Sequence, residues 1–351
     1  MATRLRDGFD FYSAVTEAVG VWTSIGNCTI SATTRFGVGQ SLGLPAVGFV
    51  IGQASIQAQL GANCTVVFVN FALRKTAALG TTGARHTIRL IDSGTTQCSF
   101  VLDNNGDILF YRGSAATLLG TYSGAFSGSG IWSHFQIKII FGDGVAGSFE
   151  VRKDGSSSNT YSLTGIDNVL SANTYANAID GILAANNPDA HFFDDFWVFD
   201  NTVVAGEPSD WLGDTRAVQI MPNSDSLIAL SRSGGATNFS NIDELVNSSA
   251  DYVFGNAAGL TDEYGNPGFS APVPTFILGV TEKVAALKTD AGPRTIGTRT
   301  RSGATVQDSA AKVLSTAVVN YPFNVDLNPN TAAPWTAAEI AAMTFGPRIV
   351  T

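Results

Sequence analysis

Short runs in which apolar and polar residues alternate, each bounded by Gly, Asn, Asp or Ser, constrain the fold of this chain most strongly. In residues 135–141, Phe and Ile occupy every second position, and Gln136 and Lys138 stand between them. A period of two is typical of a strand with one buried face and one wet face. Residues 148–152 alternate in the same way after the turn residues 142–144, so the sequence predicts a hairpin here.

The same pattern recurs upstream and predicts the fold class. Residues 98–102 and 108–111 are apolar and aromatic, and they flank a polar segment at 103–107 that reads as a hairpin turn. Strands at this spacing, with few helical stretches between them, predict an all-β antiparallel sandwich. They argue against the strand–helix alternation of a doubly wound or barrel α/β enzyme.

Two segments are predicted to form short helices on this framework. Residues 336–343 begin with Thr336, and Glu339 follows three positions later, which is the pattern of a capping box. Residues 241–246, behind Ser240, give a weaker signal of the same kind.

Composition limits the classes of partner. Hydrophobic residues make up 44% of the 351 residues, which is enough for a core. Only 14% are charged, against about 25% in average soluble proteins, and the net charge is −9. An acidic balance argues against a nucleic-acid binder that relies on phosphate contacts. Residues 1–8 contain no apolar run and no later run approaches about 20 residues, so we expect a soluble product made in the cytoplasm, without membrane insertion.

A polar segment with Gly and Pro at 200–209 suggests a domain boundary. We therefore expect an N-terminal domain over 1–204 and a C-terminal, β-rich domain over 205–351. Gly and Pro are frequent at 255–275, which predicts a long loop inside the second domain.

The order of these segments resembles that of a known family. In the first domain the segments are an aromatic-rich run at each end (7–12 and 193–200) and the runs 110–113, 132–141, 149–155 and 163–165 between them. This order is similar to the concanavalin A-like, laminin-G-like jelly roll of tailed-bacteriophage virion proteins. The resemblance implies that the first and last strands of the domain pair. The second domain resembles the same proteins at 211–216, 221–223 and 335–346.

Asp194 and Asp195 are the most tempting pair of carboxylates for catalysis. Glycosidases need two carboxyl groups about 5–9.5 Å apart across one sugar bond. Because neighbours on a strand point to opposite faces, we expect that these two cannot flank one substrate. Positions two residues away are aromatic, so a same-face pair of acids is missing as well. No catalytic residue is therefore assigned.

Other candidate sites have simpler interpretations. Asp103 to Asp107 supply oxygen ligands for Ca²⁺, but Arg112 stands where an EF-hand loop has Glu, which favours a plain turn. His86, His134 and His191 lie apart on predicted strands, and no G-x-S-x-G motif or phosphate-binding loop accompanies them. We interpret them as structural residues and expect no cofactor and no metal.

The three cysteines leave two alternatives open. Cys28, Cys64 and Cys98 lack the spacing of a zinc site. They are either buried thiols or partners in a disulfide, within or between subunits, that forms after release from a reducing cell.

These features predict a non-enzymatic structural component of a tailed-phage virion, assembled in the host cytoplasm. It would act in many copies by protein–protein contact, as a homo-oligomer and with other virion proteins. A neck or tail position, as a collar, fibre or surface appendage, is expected. The alternatives are a glycan-binding host-adhesion protein, with its site at the loop ends of the jelly roll, and a capsid decoration protein.

Overall fold

The computed structural model describes residues 3–10, 12, 14–18, 20–36, 39–44, 55–76, 86–103, 105–126, 130–183, 191–202, 210–244, 250–270 and 273–351. The chain divides into two compact units, one of residues 1–204 and 208–217, the other of residues 205–207 and 218–351. Residues 210–217 thus pack with the first unit, beyond the sequence boundary at 204/205. Within the described residues, no helix is both long and apolar enough to span a membrane.

The first unit is built from strands, with one 3₁₀ helix at Val15–Ala18. The strands described in it are β1 (Thr3–Asp7), β2 (Ser24–Gly26), β3 (Thr29–Ser31), β4 (Ser41–Leu44), β5 (Ser55–Cys64), β6 (Val66–Lys75), β7 (His86–Asp92), β8 (Thr95–Leu102), β9 (Ile108–Arg112), β10 (Thr117–Tyr122), β11 (Trp132–Ile140), β12 (Gly147–Lys153), β13 (Tyr161–Ile166), β14 (Ala176–Leu183) and β15 (His191–Asp200).

These strands form two antiparallel sheets. The eight-stranded sheet has the order β13-β12-β11-β6-β15-β4-β3, with β1 paired to β15. The seven-stranded sheet has the order β10-β9-β8-β7-β14-β5-β2. The pairing of β1 with β15 confirms the expectation that the first and last strands of the jelly roll meet.

Aromatic side chains from the two sheets meet in one continuous core. Phe71 of β6 stacks on Phe100 of β8 with ring centroids 6.1 Å apart. Phe110 of β9 lies 4.8 Å from Phe149 of β12. Because each pair joins opposite sheets, the unit is a sandwich, and the prediction of an all-β jelly roll is confirmed.

For residues 135–141, the predicted buried face of the strand is confirmed, but the predicted wet face is not. Phe135, Ile137 and Ile139 of β11 are fully buried in the core. The polar side was expected to face water, but Gln136 is also buried, because Gly213 donates its backbone N–H to the Gln136 Oε1 at 2.8 Å. A later part of the chain therefore covers the predicted wet face.

The second unit is also nearly all β. Its described elements are β16 (Ser224–Leu227), β17 (Ser231–Arg232), a 3₁₀ helix (Phe239–Asn241), β18 (Val253–Phe254), β19 (Glu263–Gly265), β20 (Val280–Ala286), β21 (Thr295–Ser302), β22 (Thr305–Asp308), β23 (Lys312–Val313), β24 (Val319–Val325), α1 (Ala337–Ala342) and β25 (Thr344–Ile349). A six-stranded sheet has the order β16-β19-β25-β21-β22 with β23 on β21, and two-stranded sheets join β17 to β18 and β20 to β24.

Two local predictions for this unit need correction. The predicted helix at 241–246 is a single 3₁₀ turn ending at Asn241, whose side chain bonds back to the Thr237 carbonyl; residues 245 and 246 lie outside the described part. The predicted loop at 255–275 contains β19, in which Tyr264 pairs with Phe345. The helix at 337–342 and its capping box between Thr336 and Glu339 are confirmed.

Candidate functional site

Asp194 and Asp195 do not follow the alternation expected of a strand. Asp195 has a φ of 51°, and the pairing of β15 with β6 shifts register at this point, which marks a β-bulge. As a result both carboxylates reach Arg35. The Arg35 backbone N–H donates to Asp194 Oδ2 at 3.1 Å, and Arg35 Nη1 donates to Asp195 Oδ2 at 3.4 Å. The expectation that the two side chains lie on opposite faces is therefore wrong.

The segment 210–217, here called the linker strap, closes over this pair. Ala217 donates its backbone N–H to Asp195 Oδ1 at 2.7 Å. Arg35 Nη2 also binds Asp214 Oδ2 at 2.7 Å. The close approach explains Gly8, because a Cβ at that position would lie 2.3 Å from the Cβ of Ala217.

Burial dominates the electrostatics of this cluster. It raises the pKa of Asp194 to about 8, with a further contribution from the charge of Asp195. Burial also raises the pKa of Asp195 to about 6, while Arg35 and the Ala217 amide oppose the shift. Nearby, burial lowers the pKa of His134 to about 4, although Asp214 lies 3.7 Å from its Nδ1. Asp194 and Asp195 are only 6% and 2% exposed, so water contributes little to the solvation of either carboxyl group.

The structure brings two of the three histidines together. His86 of β7 and His191 of β15 make a ring-nitrogen contact, with ring centroids 4.1 Å apart. Burial, followed by the neighbouring His191 and Lys75, lowers the pKa of His86 well below its usual range. His134 is separate. Because the pair joins strands of different sheets, the sequence spacing gave no sign of it. In the described ranges, no group of three or more His, Cys, Asp or Glu residues could hold a metal ion.

The loop at 103–107 acts as a hairpin turn between β8 and β9. The Asp103 backbone N–H donates to the Asp107 carbonyl at 2.9 Å, and Leu102 pairs with Ile108. The Asp103 carboxylate accepts the Asn105 amide, and that of Asp107 accepts the Gly124 amide. Asn104 lies outside the described residues. The carboxylates that were considered as Ca²⁺ ligands thus accept backbone N–H groups of a turn, which is the interpretation that the sequence favoured.

The three cysteines are free and buried. Burial raises the pKa of the Cys28 thiol to about 12 and that of Cys64 to about 11. Since the thiolate is the reactive form, the first of the two interpretations, buried thiols, matches the folded chain.

The second unit leaves much apolar surface exposed around small cores. Among the described residues, one buried apolar cluster consists of Ile277, Val325, Trp335, Ile340 and Met343, and another of Ile296, Tyr321 and Phe323. Tyr252 and Phe254 are about half exposed, with ring centroids 6.0 Å apart. Other large exposed apolar residues in this unit are Val218, Leu227, Ile228, Val273, Phe276, Leu287, Val306, Val313 and Val318.

Comparisons with known proteins give a likeness of fold. No protein-family model matches the sequence, and no curated protein matches it. An endo-β-1,4-glucuronan lyase from Trichoderma reesei is similar over 57% of this chain and 96% of its own, with 12% identity and a TM-score of 0.41. The metal-free carbohydrate recognition domain of Emp46p is similar over 57% and 97%, with 7% identity and a TM-score of 0.40. A sialidase matches over 57% of this chain but only 19% of its own length, with 12% identity and a TM-score of 0.41. Sequence identities and TM-scores this low carry no information on the activity or the ligand of this chain.

Proposed function

We propose that this chain is a structural component of a tailed-phage virion that acts by protein–protein assembly in many copies. Its partners are copies of itself and other virion proteins. Within the particle, the neck or tail is the proposed location, as a collar, fibre or surface appendage. The resemblance of the sequence to virion proteins with a jelly-roll domain supports the setting.

The observation that carries the assembly role is the apolar surface of the second unit. Monomeric proteins bury most large apolar side chains, and exposed aromatic groups are enriched where protein partners bind. Phe254 lies on β18 and Tyr252 directly precedes that strand, and their ring centroids are 6.0 Å apart. Contact with another protein surface would remove both rings from water.

Immunogold electron microscopy of purified phage particles, with antibody against this chain, tests the virion setting. Gold clustered at one position, such as the neck or tail, is the expected result. Particles that bear no gold, after epitope access has been controlled with denatured particles, would overturn the proposal.

Self-association of the full chain tests the assembly surface. Replacing both exposed rings (Tyr252→Ser with Phe254→Ser) should weaken association about tenfold or more, because interface aromatics carry a large share of binding energy. Sedimentation velocity over a wide range of concentration measures the effect. Leu118→Ser, at an exposed residue of the first unit, is the matched control and should leave association unchanged. A wild-type chain that stays monomeric, or a double variant that associates as well, would contradict the assignment.

A further inference from the structure

Phe36, in the first unit, is an exposed ring in contact with two guanidinium groups. The ring is 45% exposed. The guanidinium carbon of Arg35 lies 4.8 Å from the ring centroid, and that of Arg216 lies 4.5 Å from it. Both distances fall within the range of a cation–π contact, so each guanidinium group is held against the ring. We call Arg35, Phe36 and Arg216 the arginine surface.

The two arginines of this surface differ in their partners. Arg35 binds the carboxylates of Asp195 and Asp214, so its charge is balanced within the first unit. Arg216 forms no hydrogen bond and no ion pair with any residue that the structure describes, and its Nε is buried. A buried donor without an acceptor costs free energy, and a planar guanidinium matches the two oxygens of a carboxylate. The arginine surface is therefore ready to accept one carboxyl group.

The second unit carries a surface of the opposite charge. Tyr252 and Phe254 are each about half exposed, and Asp251 directly precedes Tyr252. The carboxyl group of Asp251 interacts directly with that of Glu244, and burial, followed by the neighbouring Asp251 and Asp243, raises the pKa of Glu244. In the described ranges, no Lys or Arg side chain forms an ion pair with these three carboxyl groups. We call these five residues the acidic surface.

Each of the two surfaces offers the group that the other lacks. A cation would relieve the repulsion among the carboxyl groups of the acidic surface, and a carboxylate would satisfy the free donors of Arg216. Both surfaces also present exposed rings, and aromatic residues and Arg are enriched at protein–protein contacts. Because every copy of the chain carries both surfaces, this complementarity favours a second copy as the partner.

We propose that copies of this chain associate head to tail, with the arginine surface of one copy against the acidic surface of the next. Arg216 binds the carboxyl groups of Glu244 and Asp251, and the exposed rings of the two surfaces pack together. A contact between two different surfaces is heterologous, so it repeats from copy to copy and produces a closed ring or an open filament. These are the shapes of a collar and of a fibre. The inference rests on the proposed assembly role, and it names the partner and the contact.

Charge reversal tests this contact by sedimentation velocity of the full chain over a wide range of concentration. Arg216→Glu should weaken self-association at least about tenfold, and so should Glu244→Lys with Asp251→Lys, because each change brings like charges together. The triple variant that combines all three substitutions restores opposite charges and should associate within about threefold of the wild type. Arg294→Glu, at an exposed residue of the second unit, changes the net charge as much as Arg216→Glu does and should leave association unchanged.

A mixture of the two impaired proteins gives a second readout. When Arg216→Glu chains alternate with chains that carry Glu244→Lys and Asp251→Lys, every junction joins opposite charges, so association should return. Circular dichroism checks the fold of each protein. If Arg216→Glu is not folded, Arg216→Gln takes its place and should weaken association at least about threefold.

The outcomes distinguish this contact from the assembly role as a whole. A wild type that associates, together with folded variants that associate equally well, would overturn the head-to-tail contact and leave the assembly role standing. Impaired variants that recover neither in the mixture nor in the triple variant would also overturn the contact. A wild type that stays monomeric at every concentration would overturn both.

Discussion

Buried carboxyl groups in this chain differ in how many donors surround them. Asp7 accepts the Phe9 amide, the Tyr12 hydroxyl and the Trp22 indole N–H. Glu282 of β20 is equally buried, but it accepts a hydrogen bond from Thr300, and its Oε2 has no partner in the described part of the chain. Burial accordingly raises the pKa of Glu282 to about 7. A carboxyl group held in this way favours the protonated form in the folded state.

This shift predicts a pH dependence of the second unit. A folded-state pKa above the unfolded value of 4.5 means that the stabilising contribution is complete below about pH 4.5 and is lost as pH rises through about 7. The free energy of unfolding should therefore fall by about 3 kcal/mol over this window. Glu282→Gln keeps the acceptor for Thr300 and removes the titration. Urea unfolding at pH 5 and pH 8 measures the difference between the two proteins, and an equal pH dependence in both would contradict the prediction.

The linker strap packs against the first unit through an aromatic ring and through backbone hydrogen bonds. Its Trp211 ring packs edge-on against Phe68 at 5.8 Å, and the Arg152 guanidinium carbon lies 4.4 Å from the ring centroid. Together with the hydrogen bonds to Gln136 and Asp195, these contacts cover a polar sheet face. The strap thereby extends the first unit beyond its last strand.

Removing the Trp211 ring should loosen the strap and leave the sandwich core intact. Trp211→Ala is expected to lower the free energy of unfolding of the first unit by about 1–2 kcal/mol, since ring packing and the cation–π contact are lost. Amide hydrogen exchange at Gly213 and Ala217 should accelerate more than exchange in β11. Trp211→Phe preserves a ring and should show a smaller effect. Strap amides that exchange as slowly in Trp211→Ala as in the wild type would contradict this role.

The sequence patterns predicted those strands and helices that are determined by residues close together in the sequence. Alternation identified β8, β9, β11 and β12, and the capping box identified α1, because each signal lies within a few residues. The bulge at Asp195 was missed because its positive φ depends on Arg35 and Ala217, which are distant in sequence.

At the scale of the whole molecule, the two units differ in how much apolar surface they bury. In the part of the chain that the structure describes, the first has a continuous core across two sheets, and the second has small clusters of five and three buried residues. Since buried apolar area is the main favourable term in folding, the second unit should be the less stable of the two. Partners in an assembly would add to its stability by mass action.

Tryptophan fluorescence can follow the unfolding of each unit separately. Trp335 is buried in the second unit, and Trp22, Trp132, Trp197 and Trp211 belong to the first. Trp335→Phe removes the tryptophan signal of the second unit. The fluorescence change that is lost in this variant should have a lower midpoint temperature than the change that remains. A fluorescence signal with one shared midpoint, in wild type and variant alike, would mean that the units unfold together.

The pairing of β6 has a consequence for synthesis on the ribosome. This strand is almost entirely buried and lies between β11 and β15, so its second neighbour is complete only when Asp200 has been made. At ordinary elongation rates the interval after Lys75 is on the order of 10 s. Both edges of β6 lack a native neighbour until β11 has been made, and one edge still lacks its neighbour until β15 is complete. Until β15 has been synthesised, the unpaired edge of β6 can form hydrogen bonds with other chains. We expect a chaperone that binds extended apolar segments to bind β6 in the nascent chain.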